Sequence, residues 1–282
     1  MPLPLLATLA AALISVPQQA FAESPNDAAK ATSPRLFEMP VADVVGPYQA
    51  SLSYDGSLLE EPGILSSAGV AALGIGDLAQ VEYRHTSAIG VRGGNVPLPA
   101  VGVQFKLPFA QESRIPAIAL AYRLGVEHIE TLRGIEYLEK ATDVYLVSRI
   151  ALPASINVHL GLRMTSALFA SDDVRLEETL YLPALGITRS HGNTTAVMEL
   201  GRAPMFVVDA NNNPSVEHGF TGRLGLRWRL HPRVSLDASA GYLAKGSGVA
   251  PSELLQWDIR FGGEVFIPWG QLACTSLSVF CK

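Results

Sequence analysis

The feature that most constrains this chain is a pair of long, strictly alternating segments between His218 and Lys245. In residues 220–230 the even positions are mainly apolar, whereas the odd positions include arginines. Successive side chains of a strand face opposite sides, so each segment predicts a strand with one apolar and one polar face. Each is about twelve residues long, which exceeds the five or six that are common in soluble proteins and suits a tilted membrane-crossing strand. The pair, joined at His231-Pro232, therefore indicates one hairpin of a transmembrane β-barrel.

The same alternation predicts about twelve strands, and the links between them alternate in length. The strands are expected at 48–55, 67–74, 77–86, 99–107, 115–124, 142–152, 155–166, 178–189, 193–203, 218–230, 233–245 and 255–267. The links after odd-numbered strands are long, namely 56–66, 87–98, 125–141, 167–177, 204–217 and 246–254, and the others are mostly short. Outer-membrane barrels have short periplasmic turns and long external loops. The sequence thus predicts an all-β fold, a single up-and-down antiparallel barrel, with both termini on the periplasmic side. Pro183 predicts a bulge or an early break in its strand.

The segments outside the barrel have their own signatures. Residues 1–22 resemble a secretory signal peptide in their apolar run and in the small residues before the cleavage site, although no Lys or Arg follows Met1; a buried first helix is the alternative. Residues 23–47 are expected to form an N-terminal periplasmic extension that leads into the first strand or lies across the barrel mouth. The barrel would span 48–267, and 268–282 would form a C-terminal tail that could add a further short strand.

Two cysteines stand in this tail, Cys274 and Cys281. Export into an oxidising compartment favours a disulfide between them, and two free thiols are the alternative.

Charged side chains recur on the face opposite the apolar one, where they would line the lumen. An Arg or Lys that faces lipid at the membrane midplane costs about 2–4 kcal/mol, so the lumen is the expected place for them. The predicted lumen residues are Glu82, Arg84, Lys106, Arg149, His159, Arg163, Glu199, Arg223, Arg227, Arg229, Asp237, Asp258, Arg260 and Glu264.

Two interpretations of this lining stay open. In the first, the lumen is a polar pore whose arginine ladder (Arg223, Arg227 and Arg229) favours anions or acidic sugars. In the second, a salt-bridge network fills a narrow barrel. Arg223 and Arg227 would then pair with Asp237 or Asp258, which would cancel the anion preference.

The segment FEMPVADVVGPYQASLSYDG, followed by LGIGDLAQVEY, resembles a pattern in some bacterial envelope barrels, including an exopolysaccharide-export group. In that pattern a Pro-x-Ala motif, here Pro40 to Ala42, precedes the first strand. A Gly-x-Gly-Asp turn, here Gly74 to Asp77, links the next two. The resemblance covers about a fifth of the chain. It implies a bacterial outer-membrane location and no particular substrate.

These observations predict an exported outer-membrane protein that contacts lipid and acts as a passive channel for small polar or anionic solutes. One alternative is a non-conducting structural or assembly barrel that serves envelope polysaccharide export with envelope-assembly partners. Another is a soluble periplasmic β-sandwich that binds a ligand. The sequence does not determine an oligomeric state.

Other classes of function lack support in the sequence. Only 17% of the residues are charged, the net charge is -5, and no basic run with interleaved aromatic residues predicts nucleic-acid binding. No motif indicates a cofactor or a metal site. Asn157 and His159 share the lumen face, but Ser148 on the adjacent strand has the opposite parity. Because a nucleophile must reach its base, we expect no enzyme.

Overall fold

The computed structural model describes residues 33–60, 65–89, 100–107, 116–132, 134–171, 174–208, 214–244 and 255–269. The predicted signal peptide, both cysteines and nearly all of the predicted C-terminal tail lie outside these ranges. Within them, no helix is long and apolar enough to cross a membrane.

The described residues form strands in chain order. They are β1 (Ala50–Glu60), β2 (Leu65–Ile75), β3 (Ala79–Ile89), β4 (Ala100–Lys106), β5 (Ala117–Gly125), β6 (His128–Leu132), β7 (Ile135–Leu152), β8 (Ile156–Ala170), β9 (Arg175–His191), β10 (Thr194–Val208), β11 (Pro214–His231), β12 (Val234–Ala244) and β13 (Leu255–Ile267).

These strands close into one antiparallel ring. Neighbours along the chain pair in order, and the ring closes where β1 pairs with β13 and β5 pairs with β7. The short β6 pairs with the part of β7 beyond β5, so β5 and β6 share one of twelve strand positions. Closure pairs the backbone of the wall without water over most of the ring. The predicted barrel is therefore confirmed, and the alternative of a soluble β-sandwich is wrong.

The outer face of the ring is apolar. Large hydrophobic side chains on successive strands point away from the lumen and are exposed, among them Leu52, Tyr83, Phe105, Leu146, Leu162, Tyr181, Leu224, Trp228 and Phe261. Exposed apolar area costs about 25 cal/mol per Å² in water, so a continuous belt of this kind requires a lipid environment. This is the architecture of bacterial outer-membrane proteins, as the alternation predicts.

The two ends of the barrel differ. At one, the turn end, short turns at 76–78, 153–155, 192–193 and 232–233 join the strands. At the other, the loop end, β7 to β11 continue for 15 to 18 residues each.

The prediction of long loops at 125–141, 167–177 and 204–217 is therefore largely wrong. The ladders between neighbouring strands continue through most of these residues. Where a strand continues beyond the apolar belt, both of its faces can be polar. The alternation of apolar and polar residues is then lost from the sequence, although the backbone hydrogen bonds between the strands continue.

Pro183 affects only one side of its strand. Along β8 it pairs in register with Leu162, so the predicted bulge or early break is wrong there. On the other side, the described ladder between β9 and β10 runs from His191 and Thr194 only to Leu185 and Leu200. We call the remainder of this boundary, residues 175–184 of β9 against 201–208 of β10, the split seam.

Candidate functional site

The predicted lumen residues all lie on strand faces opposite the apolar belt. Several are almost wholly buried, such as Glu82, His159, Asp258 and Glu264. Arg229 shares the face of Arg227 but lies at the turn end, where it is exposed. These side chains therefore extend from the wall towards the inside of the barrel.

Most of these charges are paired with side chains of the next strand or of the strand after it. The Arg223 guanidinium lies 2.8 Å from the Asp258 carboxylate, and Arg227 Nε donates to Asp237 Oδ1 at 2.7 Å. These are the pairs that the filled-barrel interpretation names. The arginine ladder is thus charge-compensated at two of its three members, which removes the basis for a strong anion preference.

A second group of pairs lies on the opposite wall, and the sequence did not single it out as a group. Arg163 donates two hydrogen bonds to Asp143, at 2.8 and 2.9 Å, and Thr165 donates a third at 2.7 Å. Arg123 bonds Glu82. Both guanidinium groups lie over the ring of Tyr145, at 4.8 and 5.4 Å from its centroid, where the π face attracts cations.

The middle of the lumen is occupied by residues 33–47, which we call the lumen segment. Its apolar side chains (Leu36, Met39, Val41, Ala42, Val44 and Val45) are at most 8% exposed. The expectation that these residues simply lead into the first strand is therefore wrong. An apolar stretch beside a barrel gains from burial inside it, provided that the wall satisfies its backbone groups.

The tip of the lumen segment is a tight hairpin. Leu36 N donates to Met39 O and Val41 N donates to Pro34 O, both at 3.0 Å. Phe37 and Glu38 therefore form the turn, and the chain runs from it back to β1 at the turn end.

Wall side chains satisfy the backbone of this hairpin. The Glu199 carboxylate accepts N–H bonds from Phe37, Glu38 and Met39 at 2.9 to 3.1 Å. Arg227 donates to the carbonyl oxygens of Arg35 and Leu36 at 3.3 and 3.0 Å. These bonds replace the sheet partner that an isolated extended segment lacks.

Two glutamines do the same nearer the turn end. Gln104 Nε2 donates to the carbonyl oxygens of Val41 and Asp43 at 2.7 and 2.9 Å, and Gln80 Oε1 accepts from Val45 N at 2.8 Å. Both glutamines are 1% exposed. Their strand parity indicates that they face inward, but an uncharged side chain carries no penalty in lipid that would single it out in the sequence as charge does.

Ion pairs hold the segment at three further points. Asp43 bonds Arg149 and lies 3.4 Å from Lys106 Nζ. Arg35 donates to Ser53 Oγ at 2.6 Å. The Glu38 carboxylate lies 3.9 Å from Arg223 and 3.6 Å from Arg260, so these wall arginines also bind the segment.

Glycines in the wall leave space for the apolar side chains of the hairpin. A Cβ atom at Gly186 would overlap Leu36 Cδ1. One at Gly225 would lie 2.7 Å from Phe37 Cζ, and one at Gly161 would lie 3.0 Å from Met39 Cε. Three hairpin residues therefore pack at positions where the wall has no side chain. The wall and the hairpin are thus complementary in shape.

Beyond the hairpin the inner face becomes apolar. Tyr137, Ala167, Phe169, Leu180, Leu182 and Val216 form a buried group that we call the loop-end cluster. The Tyr137 and Phe169 rings lie 5.3 Å apart. Hydrophobic constrictions exclude water and ions, so this cluster and the lumen segment obstruct the axis at two levels.

A polar recess remains beside the hairpin tip. It has a cavity volume of about 20 Å³, and charged groups of both signs line it, including Arg35, Glu38, Asp55, Arg223 and Arg260. This is room for about one water molecule, and the mixed charge favours neither ion sign.

The residues of the rejected enzyme hypothesis lie apart. His159 Nε2 is 3.3 Å from Thr188 Oγ1, and Asn157 Nδ2 is 3.5 Å from the same oxygen. Arg149 of β7 is the cross-strand partner of His159. Ser148, one position earlier, points to the opposite face of β7. The serine is thus separated from the histidine by the barrel wall.

The closed ring, the apolar belt and the charged lumen together define an outer-membrane β-barrel. No protein-family model matches the sequence, and no curated protein matches it. Among solved structures, the chain is similar to an outer membrane channel from Pseudomonas putida F1, with a TM-score of 0.51 and 11% identity over 81% of this chain and 97% of that one. It is also similar to the NanC porin, with a TM-score of 0.50 and 9% identity over 76% of this chain and 98% of that one. At these identities the likeness shows the fold.

Proposed function

We propose that this protein is a passive outer-membrane channel for small polar solutes, whose opening the lumen segment sets. The observation that carries the proposal is the closed ring with a polar, charged inner face. The similar structures are described as a porin and an outer membrane channel, which supports the same class of function.

The geometry supports a weakly selective channel. Arg223 and Arg227 are neutralised by aspartates, and the recess carries both signs of charge. An anion preference requires unpaired arginines, so we expect permeation to depend on solute size more than on charge. The lumen segment is the element that must move to widen the path.

The test is planar-bilayer recording of the full chain beside Glu199→Ala, which removes the acceptor of three hairpin N–H groups. We expect small conductance in the unchanged protein and larger, more frequent openings in the variant. Glu177→Ala is the matched control, since Glu177 is exposed on β9 and its carboxylate lies 4.0 Å from the likewise exposed Arg175. Heat-dependent mobility on a denaturing gel verifies that each barrel is folded.

One observation favours a second function. The obstructed axis also fits a non-conducting barrel in envelope assembly, and the resemblance around Pro40 to Ala42 and Gly74 to Asp77 points to polysaccharide export, with assembly partners. Silence of both the unchanged protein and Glu199→Ala, in barrels that pass the gel test, would decide for this role. We propose no catalytic activity for either function, because Ser148 and His159 lie on opposite sides of the wall.

A further inference from the structure

The split seam is a discontinuity in an otherwise paired region of the wall. Beyond Leu185 and Leu200, β9 stays paired with β8 as far as Arg175, and β10 stays paired with β11 as far as Val208. No described pair joins β9 to β10 over these residues. Pro183 stands at the divergence and has no N–H to donate. Separation of the two strands here would therefore break no ladder hydrogen bond.

The inner side of the split seam is apolar. Leu180 and Leu182 of β9 belong to the loop-end cluster, together with Val216 from β11 on the other side of the seam. Among the described residues, packing of apolar side chains joins the two sides at this point. An inserted acyl chain could make apolar contacts in place of those between the two sides, because burial of apolar area is not directional.

The outer rim of the split seam combines an apolar and a basic group. Tyr181, next to Pro183, is 66% exposed on the outer face. Arg202 follows Gly201 on β10, is exposed, and lies 2.9 Å from His218 Nε2 across the β10–β11 boundary. The two sides of the seam thus present an exposed guanidinium on β10 and an exposed aromatic side chain on β9, groups that suit an acidic headgroup and an apolar tail.

The axial path offers no comparable route for an apolar chain. Below the loop-end cluster, the lumen segment and its ion pairs fill the barrel, and the surroundings of the hairpin tip are charged. A chain that reaches the cluster from the side needs to cross only the seam.

We propose that the split seam is a lateral opening through which an amphiphile with an acyl chain and an acidic headgroup passes between the outer leaflet and the loop-end cluster. The chain contacts Leu180 and Leu182, and Arg202 binds the headgroup at the rim. This activity is separate from solute conduction through the lumen and does not depend on it.

A disulfide across the seam tests the proposal. A Cβ atom at Gly201 would lie 3.4 Å from Ala184 Cβ, close to the 3.5–4.5 Å of natural disulfides. Ala184→Cys with Gly201→Cys therefore locks the split seam. Ser166→Cys with Thr179→Cys is the matched control, because these two residues are cross-strand partners on the intact β8 side of β9 and lie on the outer face, away from the hairpin. Both variants keep Cys274 and Cys281, and peptide mass spectrometry confirms which cysteines are joined.

The probe is dodecanoic acid with a photoreactive diazirine on its chain, added to the purified full-length protein. Phe169 is fully buried on the inner face, so labelling of its peptide reports entry, whereas labelling of the belt reports only surface adsorption. We expect the seam lock to lower Phe169 labelling at least fivefold, the control lock to leave it unchanged, and reduction to restore it. Absent labelling in the unlocked protein, or equal labelling with both locks, overturns the lateral opening.

A second variant tests the headgroup site without a new disulfide. Arg202→Ala should weaken labelling by the acid severalfold and leave labelling by the matching diazirine dodecanol unchanged. An equal effect on both probes overturns the role of Arg202. Conductance should be unaltered in Arg202→Ala. A wrong prediction about the lateral opening is therefore distinguishable from a wrong prediction about the channel.

Discussion

Glu199 Oε1 in β10 lies 2.9 Å from the backbone nitrogen of Met39, although the two residues are 160 positions apart. The other oxygen accepts the N–H groups of Phe37 and Glu38, each at 3.1 Å. Hydrogen bonds to a carboxylate are about twice as strong as neutral ones. One wall side chain therefore holds the tip of the lumen segment, and the state of the channel depends on it.

Glu199→Ala should release the hairpin. The change leaves three N–H groups without their acceptor, and each unsatisfied buried group costs about 1–3 kcal/mol. Trypsin cannot reach Arg35 while the hairpin lies in the lumen, so cleavage after Arg35 measures its departure. We expect the fragment that begins at Leu36 to form at least about tenfold faster, since each 1.36 kcal/mol is a factor of ten.

Glu177→Ala is the control for this prediction and should leave the cleavage rate unchanged. Equal protection of Arg35 in Glu199→Ala and in the unchanged protein would show that other contacts hold the hairpin.

Gly186→Ala should also loosen the hairpin, through a steric effect. The added methyl group overlaps Leu36 Cδ1, and overpacking of this kind costs about 1–3 kcal/mol. Leu36→Ala removes the opposing atom, so the double variant should be cleaved after Arg35 more slowly than Gly186→Ala alone. Additive effects of the two substitutions would contradict direct contact, because only residues that touch show a large interaction energy in such a cycle.

The barrel and its lumen lining could be predicted because their signal is local. Alternation with a period of two identifies a strand and assigns Arg223 and Arg227 to one face, whatever the partner strand is. Pairing with Asp237 and Asp258 then needs only the hairpin order of neighbouring strands.

The lumen segment could not be predicted in this way. It has no periodic pattern, and its partners are 35 positions away for Val45 and Gln80 but 192 for Arg35 and Arg227. The wall glycines that receive its side chains occupy ordinary polar-face positions, where they indicate nothing by themselves. Likewise, the loss of pairing at the split seam depends on how two hairpins diverge in space. Pro183 indicated an interruption in β9 but not that it would affect only the side that faces β10.

Asp143→Asn should destabilise the barrel strongly. Asp143 and Arg163 have side chains that are 10% and 20% exposed, and breaking a buried pair costs about 3–5 kcal/mol because one charge is left uncompensated. The urea midpoint, followed by heat-modifiable gel mobility, should fall. Adding Arg163→Met should recover most of the loss.

The control for this pair is Glu127→Gln. Glu127 and Lys140 form an exposed pair at 3.1 Å, and such pairs contribute about 0–1 kcal/mol. A comparable fall in both variants would show that burial does not determine the effect.

Asp237→Asn should give the channel an anion preference. The substitution removes the charge that compensates Arg227, which lies 2.7 Å away. The reversal potential in a KCl gradient should move towards the chloride potential, whereas Glu177→Gln on the outer face should not move it. An unchanged potential in Asp237→Asn would mean that permeating ions do not pass Arg227.

The turn between β7 and β8 should tolerate a stabilising substitution. Ala154 and Ser155 have φ angles of 62° and 56°, in the left-handed region, which costs about 1–2 kcal/mol for a residue with a Cβ atom. Asn and Gly are the residues that adopt positive φ angles at the lowest cost. Ala154→Asn with Ser155→Gly should raise the urea midpoint of the barrel and leave conductance unchanged, because the turn lies away from the lumen segment contacts described above. Gly192→Ala, at a φ of 57°, is the reciprocal variant and should lower the midpoint. A midpoint that does not respond to either change would show that positive φ angles in these turns do not limit the stability of the barrel.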